Sequence, residues 1–176
     1  GPLQAGVEGL LTLTKTIDRN DIIKIDIKMP GGRVSSFSDA PMPAINLRYL
    51  SAVILEDGEL TFEMAECRER MATDSIKQKM EIVTLIHDSE QEREPRVESA
   101  LVEVTLRNGE KKEIFIEHVL GFPHYPMGHE DIHTKAMGLL VPVLGIEQSR
   151  TLTDLVWNLE KVNDIRELIP LLTPRK

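Results

Sequence analysis

The chain has 176 residues, enough for one domain with a proper core and too few for two generous ones. Its formal charge of −8, from 29 acidic and 21 basic side chains, opposes a nucleic-acid partner and leaves any anionic substrate dependent on local cations or helix N-termini. With 41% hydrophobic but only 4% aromatic content, no apolar run of membrane-spanning length and a single cysteine, Cys67, the expectation is a cytoplasmic chain with an aliphatic core and no disulfide framework.

Val7, Leu10 and Leu11 recur at helical spacing and predict a helix over about residues 4–16. The sequence lacks an initiator Met and is already helical in pattern at Gln4, so the expectation is a chain that begins inside a larger protein. Asp18 to Asp21 form a turn, and Ile23, Ile25 and Ile27 alternate with Lys24, Asp26 and Lys28 as in a strand with one buried face. Pro30-Gly31-Gly32 ends that strand and opens a loop through Ser38. Asn46 is placed to N-cap a helix through Leu55, and Gly58 to close it. A second helix is predicted near Thr61–Met71, and Asp74 is the candidate cap of a third. Ile82 to Ile86 is apolar on both faces, which suits a strand inside a sheet.

His87 to Arg96 is charged and holds Pro95, so it is expected to be an exposed loop. Alternating apolar residues flank Asn108-Gly109, from Val102 to Leu106 before it and at Ile114 and Ile116 after it, which predicts a hairpin with a type I′ turn. A Gly- and Pro-rich loop from Gly121 to Gly128 leads to three helical stretches at about 129–141, 149–160 and 163–170. The expected fold is therefore a single α+β domain over residues 1–176, with a mixed or antiparallel sheet of about four strands covered by helices.

Among short motifs, His129-Glu130-Asp131-Ile132-His133 matches the H-E-x-x-H zinc pattern. Ala136 and Leu139 stand where a longer metalloprotease motif needs Gly and His, and Glu130 and Asp131 equally suit the first turn of an ordinary helix. No metal ligand is therefore assigned. The run Asp88, Glu90, Glu92 and Glu94 lacks calcium-loop spacing and reads as solvated charge. His87 and His118 fall at strand ends, where structural hydrogen bonds are the default role. Cys67 has no base in its local sequence and reads as a structural thiol. Tyr49 falls in the first turn of the Asn46 helix beside Arg48. Two readings stand: a phenol at a helix N-terminus that exchanges a proton, or an amphipathic core-edge tyrosine with its hydroxyl in water.

Several segments, in order, resemble the carboxy-terminal domain of the MmgE/PrpD family, which includes 2-methylcitrate dehydratase, cis-aconitate decarboxylase and iminodisuccinate epimerase. They are Gln4-Ala5-Gly6-Val7-Glu8, Asn46-Leu47-Arg48-Tyr49 with Asp57-Gly58, the Asn108-Gly109 hairpin, Gly121-Phe122-Pro123-His124-Tyr125-Pro126-Met127 with Lys135-Ala136-Met137, and Asp164 to Leu168. The resemblance implies cofactor-free proton chemistry next to a carboxylate: dehydration, decarboxylation or epimerisation of a hydroxylated di- or tricarboxylic acid. It implies Tyr49 as the catalytic tyrosine of this domain, with Asn46, Arg48 and Gln4 as substrate-binding candidates. It also implies a preceding helical domain holding most acid, base and substrate groups, so that this domain alone has an incomplete site, and a homodimeric assembly. Pro2 stands where several members have His, and Met137 where Phe is usual. Alternatives to the lyase or isomerase reading are a non-catalytic assembly or regulatory module and a subunit of a split enzyme.

Overall fold

The computed structural model describes residues 1–32, 34–92 and 98–174. Contacts divide it into two compact units, Gly1–Tyr125 and Pro126–Lys176.

The first unit is built on a four-stranded sheet in the order β2-β1-β3-β4, with β1 Ile22–Met29, β2 Val83–His87, β3 Ala100–Leu106 and β4 Lys111–Ile116. β1 runs parallel to β2 and antiparallel to β3, and β3 pairs antiparallel with β4. The mixed sheet with covering helices is the expected α+β class. Parallel pairing of β1 and β2 requires a crossover, and that crossover contains α2 (Val34–Ser38), α3 (Leu47–Asp57), α4 (Phe62–Glu66), α5 (Arg68–Met71) and α6 (Asp74–Glu81).

Alternation places Ile25 and Ile27 in register with Val104 and Val102, and all four are fully buried. Leu10 of α1 (Gln4–Thr14) and Leu47, Val53 and Ile54 of α3 complete the same aliphatic core. Helix α1 lies very close to the sheet because Gly6 and Gly9 carry no side chain. A Cβ on Gly9 would stand 2.7 Å from Val102 Cγ2, and one on Gly6 3.1 Å from Leu47 Cδ2.

Five expectations need correction. Ile82 to Ile86 was expected inside the sheet, yet β2 is an edge strand; its second apolar side is half-buried rather than enclosed. The 61–71 helix is two short helices, because Cys67 adopts an extended conformation (φ −77°, ψ 101°) between α4 and α5. Residues 34–38 of the expected loop form α2, and the residue before α6 is Thr73, with Asp74 inside its first turn. The hairpin does not use a type I′ turn, since only Gly109 takes a positive φ (85°) and no non-glycine residue does. Gly109 N–H donates to Leu106 O at 2.8 Å and Leu106 N–H to Glu110 O at 2.8 Å, so the connection spans three residues, and the Asn108 side chain accepts from Glu110 N–H. Of the predicted loop after β2, Arg93, Glu94, Pro95 and Arg96 lie outside the described residues.

The second unit packs α7 (His129–Leu144) on α8 (Ile146–Trp157), with Gly145 at φ 76° between them. A 3-10 stretch, Ile165–Leu172, rests on α8, tied by Gln148 Nε2 donating to the carbonyls of Leu171 (2.9 Å) and Thr173 (2.7 Å). An apolar cavity of about 430 Å³ lies among Ile132, Ala136, Leu140, Leu152 and Trp157. No residue of α7 is buried, and Leu139, Val143, Ile165 and Ile169 are exposed. Among the described residues no helix is long and apolar enough to cross a membrane.

Candidate active site at the start of helix α3

Asn46 adopts an extended conformation and caps α3, its side-chain oxygen accepting from Tyr49 N–H at 2.9 Å. Its amide nitrogen donates to Ala40 O at 2.9 Å, so both ends of this buried side chain are used within the fold. At the other end of α3, Gly58 takes the left-handed conformation (φ 81°) and donates to Ile54 O.

The Tyr49 ring is fully buried in the core. Its hydroxyl is not in water. It lies 2.6 Å from Met64 O and 3.2 Å from Cys67 O, at the junction where α4 ends and α5 begins. At the helix break Met64 O accepts a long bond from Cys67 N–H (3.4 Å) and Cys67 O accepts from Met71 N–H (3.2 Å), and the phenol hydroxyl adds a second contact to each carbonyl. One hydroxyl hydrogen cannot donate fully to both, so the shorter contact to Met64 takes it. Burial raises the phenol above its ordinary value near 10, with Cys67 and Asp57 adding to the effect and Arg70 opposing it. Arg70 is ion-paired with Asp57, which fastens α5 to the end of α3.

Arg48 forms its bonds with other groups. Its Nε donates to Met80 O at 3.0 Å, near the end of α6, and its Nη1 lies 3.4 Å from the exposed carboxylate of Asp39. Gln4 sits at the start of α1, where its side-chain amide donates to Leu120 O at 2.7 Å; Glu8 accepts from Leu120 N–H at 3.4 Å. These bonds hold the 118–125 loop, in which Gly121 N–H donates to Tyr125 O and the rings of His118 and His124 stack 4.7 Å apart. Thus Asn46 and Tyr49 are brought together by the helix cap, while among the described residues no hydrogen bond joins Gln4 to Asn46, Arg48 or Tyr49.

The contacts of Tyr49 with Met64 and Cys67 were not anticipated from sequence. The signal was weak: Thr61 caps α4 by accepting from Met64 N–H, but nothing in Ala65-Glu66-Cys67-Arg68 marks a break. In the zinc-like pair, His129 stacks on Trp157 with ring centroids 3.8 Å apart. Among the described residues no group of three or more His, Cys, Asp or Glu side chains is arranged to hold a metal ion. His87 pairs with Glu92 at 2.8 Å, and the Cys67 thiol is half-buried.

What this arrangement offers chemically is one phenol whose proton is held by a backbone carbonyl, next to a helix N-terminus already capped. No curated protein matches the chain. The family model described as the MmgE/PrpD C-terminal domain matches residues 2–161, across both compact units, and the chain belongs to that family.

Proposed function

We propose that this chain works as the carboxy-terminal part of a lyase or isomerase that removes or moves a proton next to a carboxylate in a hydroxylated di- or tricarboxylic acid. In this reading the reaction is dehydration of the 2-methylcitrate dehydratase kind, needs no cofactor, and uses Tyr49 to exchange a proton with substrate. Asn46 and Arg48 orient a substrate carboxylate at the start of α3, and Gln4 contributes from α1. An amino-terminal helical domain supplies the remaining acid and base groups, and the assembly is a cytoplasmic homodimer. The observation that carries the reading is family membership over residues 2–161, which includes the Asn46-to-Gly58 segment. The exposed apolar side chains of the second unit, whose α7 has no fully buried residue, support a covering partner domain.

A second reading, a non-catalytic assembly module or a subunit of a split enzyme, is favoured by a specific observation. The Tyr49 hydroxyl, the Asn46 amide and the Gln4 amide nitrogen are all engaged inside the fold, and Pro2 stands where several members have His. The test is to incubate the natural full-length protein with hydroxylated di- and tricarboxylates in heavy water. Formation of an unsaturated acid, or wash-in of deuterium next to the carboxylate, is expected from the first reading. Neither product nor exchange with any of these acids supports the second.

A further inference from the structure

Three features of Tyr49 and its cover belong together. The phenol ring is fully buried, its hydroxyl reaches Met64 O and Cys67 O, and those two carbonyls lie in a segment built from helices of only 5 and 4 residues. Helices so short have little stability of their own, because nucleation outweighs the few hydrogen bonds gained. Neither α4 nor α5 buries a single residue, and Phe62 on α4 is 66% exposed. Partly buried Leu60, Met64, Ala65 and Met71 pack on the core, and the Arg70–Asp57 ion pair adds a tie. The segment begins just past Gly58, whose left-handed conformation ends α3, and finishes at Thr73 before α6.

We propose that residues 59–73 form a strap latched by the Tyr49 hydroxyl, and that release of this latch is the step that frees the phenol to meet a carboxylic-acid substrate; the second half rests on the function proposed above. The logic is one of shared bonds. A phenol proton donated to Met64 O cannot be given to a substrate until that bond breaks, and breaking it removes a main tie of the strap. Segments with few buried contacts open locally at lower cost than the core they cover. The strap therefore opens while α3, with eight of its residues buried, stays folded.

Cys67 is the single thiol of the chain and lies in the strap, half-buried, so it reports the opening directly. Labelling of the full chain with iodoacetamide is compared between the natural protein and Tyr49→Phe, with far-UV circular dichroism to confirm the fold. Loss of one hydrogen bond is expected to speed labelling about five- to tenfold. Unchanged labelling in a folded Tyr49→Phe protein overturns the latch. Hydrogen exchange on the natural protein gives an independent reading should that variant fail to fold. Amides of residues 62–71 are expected to exchange well ahead of those of Leu50 to Leu55, and exchange of both sets together, at the rate of global unfolding, overturns the strap. The two proposals fail separately. Faster labelling with undiminished turnover in Tyr49→Phe sinks the catalytic reading and keeps the strap, whereas unchanged labelling with lost turnover does the reverse.

Discussion

Gly9→Ala tests how closely α1 is seated on the sheet. The added Cβ would stand 2.7 Å from Val102 Cγ2 and 3.3 Å from Ile114 Cγ2. Carbon atoms settle at about 3.5 Å or more, so the first contact is short by roughly 0.8 Å. Val102 cannot easily yield: its branched side chain is stiff, it is fully buried, and its strand is hydrogen-bonded on both sides. The helix must lift instead. Overpacking of this kind costs about 1–3 kcal/mol, against which alanine recovers about 1 kcal/mol of helix propensity. A net loss of up to about 2 kcal/mol follows, with a fall in Tm of roughly 2–4 °C for each kcal/mol in a chain of this size. Gly138→Ala is the internal control. It lies inside α7 with nothing within 4 Å of the new Cβ, so only the propensity gain of about 1 kcal/mol applies. Urea titration followed by circular dichroism reads the first variant, and fluorescence of Trp157, the only tryptophan, reads the second. A Gly9→Ala variant stabilised as much as Gly138→Ala would refute the close seating of α1.

Other consequences can be checked with the same methods. Asn46→Ala removes the N-cap of α3 and the bond to Ala40 O, and is expected to cost about 1–2 kcal/mol in urea titration. Glu56 is held below its ordinary value by hydrogen bonding to Lys79, helped by Ser75, so its contribution is present above about pH 4.5 and is lost as pH falls through the lowered folded value. Because Glu56 and Lys79 are each more than a third exposed, the effect is small, and Glu56→Gln should flatten only slightly the acid limb of a stability–pH profile. Tyr49 has the opposite sign: its raised folded value gives a contribution that is full below about pH 10 and is lost as pH rises through that value. Tyr49→Phe should therefore remove part of the alkaline destabilisation, as read by thermal melts across that range.

The sequence was most legible where one local signal decides the structure. Asn46 and Gly58 marked both ends of α3 because capping and left-handed geometry depend on single residues. The β1 alternation held at its centre, where Ile25 and Ile27 are buried, but not throughout: Ile23 is exposed beside a register shift between Ile22 and Lys24, and Asp26 is buried. Legibility failed where tertiary context decides. An apolar Ile82 to Ile86 segment says nothing about its order in the sheet, and β2 proved to be an edge. Asn-Gly permits a two-residue turn but does not require one, and here only Gly109 took the positive φ. The site shows the same division. Tyr49 could be picked out from its place in a family-like segment, but the fate of its hydroxyl depended on a helix break at Cys67, 18 residues away. Side-chain partners supplied by backbone carbonyls leave almost no trace in sequence.

The central claim is that Tyr49 exchanges a proton with a carboxylic-acid substrate. The most direct test is turnover of the natural full-length protein against its Tyr49→Phe variant, followed by the absorbance of the unsaturated acid formed, on variants shown to be folded. The account predicts a loss of about 10²–10⁴-fold in kcat with a smaller change in KM, as expected when a general acid or base is removed. Equal turnover by the two proteins would contradict it and leave Tyr49 as a structural pin for the strap.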